Sequence, residues 1–180
     1  MNRIIITGGP GSGKTSLIKE LERLDCCCSE EASRQLIIEQ VAKNTDCLPW
    51  LNLNAFASLV VERMIKLYNE ASEERTTFFD RGIPDVIAYM KVAKLPVPQD
   101  YYESLKLYPY NKTVLILPPW PDIYINDNER WQTYEESVTI YRSLCNTYQS
   151  LNFTLVEVPR MSLSERASFV LKESGCVKAC

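Results

Sequence analysis

Arg3-Ile-Ile-Ile-Thr7-Gly8-Gly9-Pro10-Gly11-Ser12-Gly13-Lys14-Thr15 is the stretch that decides the fold. Its first half is a short β-branched run that stops at glycines, the pattern of a buried strand. Its second half satisfies G-x-x-x-x-G-K-[ST] between a strand and a helix, the context this spacing requires. The glycines let the backbone bend until several N–H groups point at one anion. Thr15 to Leu24 follows as a helix, with Leu17, Ile18, Leu21 and Leu24 at helical spacing, and its N-terminal dipole adds to the anion site. Lys14 can reach β- and γ-phosphates, and the Thr15 hydroxyl can ligate Mg²⁺. Gly8, Gly9, Pro10, Gly11, Ser12, Gly13, Lys14, Thr15 and Ser16 are therefore the expected contacts to ATP or GTP.

Outward from this stretch, short apolar runs alternate with longer helical patterns. Cys26–Ser29, Thr76–Asp80, Thr113–Leu117 and Phe153–Val158 read as four more strands. Glu30–Lys43, Asn52–Glu74, Pro84–Ala93, Thr133–Leu151 and Ser162–Ser174 read as helices. Such alternation predicts an α/β fold with a parallel sheet of five strands. Ligands in these sheets bind beyond the carboxyl ends of the strands. The site should then collect residues 8–15, Glu30 or Glu31, residues 80–82, residues 118–130 and residues 159–161. Asp80 ends an apolar strand, where it can hold Mg²⁺ directly or through water. Glu31 and Arg34 are three apart on one helix face, at the end that faces the ligand. Adjacent Glu30 leaves that register open by one residue, and either acid could simply complement the helix dipole. Residues 118–132 are too irregular for core and too aromatic for a bare linker, so a lid is expected there.

The 180 residues suit a single domain spanning 1–180, and 46% apolar residues suffice for a core. A net charge of −3 argues against bulk nucleic-acid binding. The chain has no histidine, so acid–base work falls to other side chains. Seven cysteines, an odd number, and no signal peptide point to a reducing, cytoplasmic setting. Cys26, Cys27 and Cys28 are consecutive; in a strand they alternate faces and cannot form a metal cage, so they are expected as small buried hydrophobes. No apolar run is long enough to span a membrane. The sequence does not fix the oligomeric state.

With Gly8–Thr15, Glu31-Ala-Ser-Arg34, Phe78-Phe-Asp80-Arg81-Gly82 and Asn128-Glu-Arg130 in place, the chain resembles P-loop NTPases of the nucleoside and nucleotide kinase type. More narrowly it is similar to small AAA-type ATPase domains related to the ribosylnicotinamide kinase domain of NadR. The resemblance runs from Arg3 to Pro159 and implies a three-layer sandwich, a sheet between two layers of helices. It implies Mg-ATP and a small nucleoside-like or nucleotide-like acceptor. Glu31 would take the proton of the acceptor hydroxyl, with Arg34 and Arg81 contacting the acceptor. Arg130 of the lid would neutralise charge on the transferred phosphoryl group. Arg160 and Met161 would lie at the adenine edge, and Trp50, Tyr89, Trp120 or Trp131 could stack on a ring. Lys14, Glu31, Asp80 and Arg130 are thus the expected catalytic set. The alternative is a regulatory ATPase or GTPase module whose nucleotide state controls a partner. A signal-type GTPase fits poorly, because Asn111-Lys-Thr-Val lacks the Asp of the guanine-reading motif and precedes its strand.

Overall fold

Three isoleucines in the first strand set the two faces of the sheet. In the computed structural model, which describes residues 2–124 and 133–176, Ile4 and Ile6 point to one face and Ile5 to the other. The strands are β1 (Arg3–Gly8), β2 (Cys27–Cys28), β3 (Thr77–Asp80), β4 (Thr113–Leu117) and β5 (Thr154–Glu157). All pair in parallel, in the order β2-β3-β1-β4-β5. Ile4, Ile6, Phe78, Leu115 and Leu117 pack with Leu17, Leu21, Ala167 and Val170 of α1 (Lys14–Arg23) and α7 (Leu163–Glu173). Ile5, Phe79, Val114 and Ile116 pack with Ala88, Ile140, Leu144 and Tyr148 of α4 (Ile83–Val92) and α6 (Tyr134–Ser150). Burial on both faces explains why these strands read as unbroken apolar runs.

A third apolar cluster sits outside the sheet. It joins α2 (Ala32–Ala42), α3 (Leu53–Glu70) and α4 with α5 (Gln99–Leu107) through Leu36, Phe56, Val60, Met64, Met90 and Tyr101. Helix α5 was not expected from the sequence. Tyr101 is its one buried side chain, so no apolar stripe announces it. Helix α3 ends at Glu70, short of the expected Glu74, because the Ser72 hydroxyl accepts from the N–H groups of Glu74 and Arg75 and turns the chain. Helix α2 starts at Ala32, since Glu31 is extended at φ −73°, ψ 101°. Strand β2 keeps only two residues, and its cysteines are half-buried.

This topology places the crevice. Ile6 of β1 lies beside Asp80 of β3. The chain leaves β1 across β3 to reach β2, and leaves β3 across β1 to reach β4. The two connections diverge, opening a gap beyond the carboxyl ends of these strands. Among the described residues no helix is long and apolar enough to cross a membrane.

Candidate functional site

The phosphate loop joins β1 to α1 through backbone that favours glycine: Gly11 has φ 74° and Gly13 φ 83°. Gly13 caps α1 with no side chain to satisfy the first-turn N–H groups, which leaves them available to an anion. Ser12 Oγ is buried and has no hydrogen-bond partner. Neighbours hold the loop from several sides. Ser137 Oγ of α6 donates to the Pro10 carbonyl at 2.7 Å, and the Tyr124 ring lies against Gly11. A Cβ on Gly13 would come within 2.8 Å of Arg166 Nη1 and 2.9 Å of Ile123 Cδ1. The close fit explains the small residues as much as the backbone angles do.

Lys14 Nζ lies 2.9 Å from Asp80 Oδ1, with side-chain exposures of 6% and 4%. The contact is an ion pair out of hydrogen-bonding geometry, because that oxygen has no hydrogen-bond partner. The Asp80 N–H donates to Ser29 Oγ at 3.0 Å, tying β3 to the end of β2.

Arg81 follows in a left-handed conformation, φ 73°. Its Nη1 donates to the Gly8 carbonyl at 3.1 Å and to Asp85 Oδ1 at 3.2 Å, and its guanidinium sits 5.5 Å from the Tyr89 ring centroid. Burial works against this cation, but the oxygens of Tyr89, Asp85, Glu31 and Asp80 outweigh burial and hold it firmly charged. Asp85 was not foreseen from the sequence. It accepts from Thr7 Oγ1 at 2.5 Å, from the Gly82 N–H at 3.0 Å and from the Tyr148 hydroxyl at 2.5 Å. An acid inside the apolar stretch Ile83-Pro-Asp-Val-Ile-Ala88 was the available signal. Burial, then Asp85, raises the Tyr148 phenol well above its ordinary value.

A cavity of about 780 Å³ runs from Gly9–Ser16 past Glu31, Arg34, Arg81 and Asp85 and on between α2, α3 and α4. Glu31 is half-buried, 3.6 Å from Arg34 Nε. Glu30 is exposed and does not line the cavity. Gly8 and Asp80 lie just outside the lining, whereas Thr15, Ser16, Trp50 and Tyr89 are part of it. Trp120 is elsewhere; its indole N–H donates to Asp122 at 3.1 Å and its ring lies 5.5 Å from the Arg166 guanidinium. Arg160 and Met161 also fall off the cavity, with Arg160 Nη2 donating to the Pro119 carbonyl at 2.8 Å. Arg130 and Trp131 lie outside the described residues. Among the described residues no cluster of three or more Cys, Asp or Glu could hold a metal ion. Thr15 and Asp80 suit instead a hard cation that takes oxygen ligands and arrives with phosphates.

Comparison with known proteins agrees with this fold. A NadR protein solved in complex with NR superposes with a TM-score of 0.72 at 19% identity, over 98% of this chain and 52% of that one. The present chain therefore spans about half the length of that protein. Deoxyadenosine kinase from M. mycoides with bound dCTP gives 0.56 at 18% identity, over 97% and 100% of the two chains. Thymidylate kinase from Candida albicans gives 0.62 at 14% identity, over 97% and 91%. These likenesses establish the P-loop fold. No curated protein matches the chain. The sequence profile of the AAA domain matches residues 3–166, and the chain belongs to that family.

Proposed function

We propose that this chain is a P-loop kinase that passes the γ-phosphoryl group of ATP to a hydroxyl of a small acceptor. Nucleosides and nucleotides are the first acceptors to try. One observation carries the reading: the phosphate loop and a second chamber, with Glu31, Arg34 and Arg81 between them, form one continuous cavity. Hydrolysis needs room only for water. The solved structures of similar fold named above include enzymes called kinases, which is in keeping with the reading.

The loop N–H groups and Lys14 bind the β- and γ-phosphates, Lys14 leaving Asp80 to do so. Thr15 and Asp80 would hold Mg²⁺, which when bound neutralises phosphate charge. Arg81, fixed by Gly8 and Asp85, orients the acceptor, and Arg34 shares that task. Glu31 takes the hydroxyl proton as the oxygen approaches phosphorus; Glu30, off the cavity, does not. Residues 118–132 close as a lid over a single domain, with Arg130 neutralising charge on the transferred group, and Arg160 and Met161 border the adenine. Catalysis here is positioning and charge neutralisation rather than covalent chemistry. Six free cysteines among the described residues suit a cytoplasmic protein.

The test is a thermal-shift screen of nucleosides, nucleotides and pyridine ribosides with a non-hydrolysable ATP analogue, followed by a coupled assay on the hits. Glu31→Gln should lower transfer about 10²-fold with ATP binding little changed, and Glu30→Gln should be mild. A wild-type rate for Glu31→Gln removes the assigned base. If no hydroxyl acceptor of any class, nucleoside or other alcohol, stimulates turnover and only slow hydrolysis is seen, the regulatory ATPase takes the kinase's place.

A further inference from the structure

Beyond Glu31 and Arg81 the cavity changes character. Its inner walls are Ile37, Phe56, Ala57, Val60, Met64 and Met90, the same side chains that build the apolar cluster of α2, α3 and α4. Among the described residues no Asn or Gln lines the cavity. The polar side chains of the lining, Ser33, Glu136 and Thr139 besides the groups already named, belong to the first turn of α2 and the first two turns of α6. A nucleobase carries several edge donors and acceptors. Burying such groups without partners is unfavourable. An apolar body entering the same space gains free energy in proportion to the surface it removes from water.

The mouth has the same chemistry. Ile38, Trp50 and Val92 line the cavity yet are 58%, 52% and 38% exposed. Large apolar side chains grouped at an opening are the kind of exposed patch that marks a binding groove. They continue the inner wall outward, so a body longer than the chamber keeps apolar contact as it leaves.

We infer that the acceptor is an alcohol with an apolar alkyl, isoprenoid or aryl body. Its hydroxyl lies between Glu31 and Arg81, and its body lies along α2, α3 and α4. This rests on the kinase reading. The alcohol oxygen bonds to the γ-phosphorus as the bond from that phosphorus to the β,γ-bridging oxygen breaks. ADP leaves, and the hydroxyl proton goes to the Glu31 carboxylate. The products are ADP and the phosphate monoester of the alcohol.

The test uses the full chain with Mg-ATP. Phenylbutanol, geraniol and farnesol are compared with adenosine, thymidine and nicotinamide riboside, by thermal shift with a non-hydrolysable ATP analogue and by ADP release. The expected result is that the apolar alcohols raise the melting point and stimulate ADP release at least tenfold more than the nucleosides do. Trp50→Ala and Ile38→Ser, both at exposed positions, should raise KM for farnesol severalfold more than for phenylbutanol. That ratio does not move through a general loss of folding. Turnover of nucleosides in preference to the alcohols overturns the inference and leaves the kinase reading standing. A thermal shift by the alcohols with no turnover of any compound overturns the kinase reading and keeps the ligand class. Absence of both shift and turnover with the alcohols overturns the inference outright.

Discussion

Lys14 and Asp80 hold each other at 2.9 Å where both side chains are almost out of water. From sequence, Lys14 has only phosphates to meet; the structure adds an anion behind it. Removing one partner of a buried pair leaves the other charge uncompensated, at a cost of about 3–5 kcal/mol. Lys14→Ala should therefore lose both ATP binding, read by calorimetry, and several degrees of melting temperature. The double variant Lys14→Ala/Asp80→Asn should regain much of that stability and none of the binding. If the double variant melts no higher than the single one, the pair is not what fails. Asp85 makes a sharper case, since Thr7, Arg81, the Gly82 N–H and Tyr148 all bond to it. Asp85→Ala leaves the Arg81 cation and the Tyr148 hydroxyl without that partner. Urea denaturation should show a loss of about 3 kcal/mol or more, and a clearly smaller loss for Asp85→Asn. Equal losses for the two would mean that the hydrogen-bond network is not the source.

At the scale of the element, the start of α6 ties secondary structure to the phosphate loop. Thr133 Oγ1 accepts from the Glu136 N–H at 3.2 Å, and Glu136 Oε2 accepts from the Thr133 N–H at 2.6 Å. This capping box fixes the turn from which Ser137 reaches the Pro10 carbonyl. Thr133→Ala should cost about 1 kcal/mol in denaturant titration and also weaken ATP binding, because the loop loses its anchor. Unchanged affinity would show that the loop holds its shape alone. The same scale explains what was legible. Strands β1, β3 and β4 read to within a residue because both faces are apolar and glycines, charges or prolines bound them. The strand–loop–helix turn of the phosphate loop was legible because its signal is local in the chain. The cavity walls did not, since Ile37, Phe56 and Met90 meet only once α2, α3 and α4 pack, and each reads locally as ordinary core. Asp85 escaped for the same reason: three of its partners are 4, 63 and 78 positions away.

Over the whole molecule, buried phenols tie stability to alkaline pH. Burial raises the titration of Tyr110 and Tyr148 above its ordinary range, and both pack deep in the fold. An unfolded chain releases these protons near pH 10, while the native chain keeps them. Below that pH both states carry the protons, and these groups add no slope. Above it the unfolded state binds fewer protons than the native one, so stability falls as pH rises, by about 1.4 kcal/mol per pH unit for each such group. Cys28, which burial pushes up to about 12, starts its own decline near pH 8.5, where an exposed thiol ionises. Urea midpoints should thus be flat with respect to these groups up to about pH 8 and drop with growing steepness beyond pH 10. Tyr148→Phe removes one of the titrating phenols. It should lower the plateau, because Asp85 loses a donor, and make the alkaline fall shallower. Spectrophotometric titration at 295 nm supplies the independent check: the buried phenolates should form only as the chain unfolds. Full ionisation near pH 10 with the fold intact, or the same alkaline slope in the Phe variant, would show that these phenols are not what limits stability at high pH.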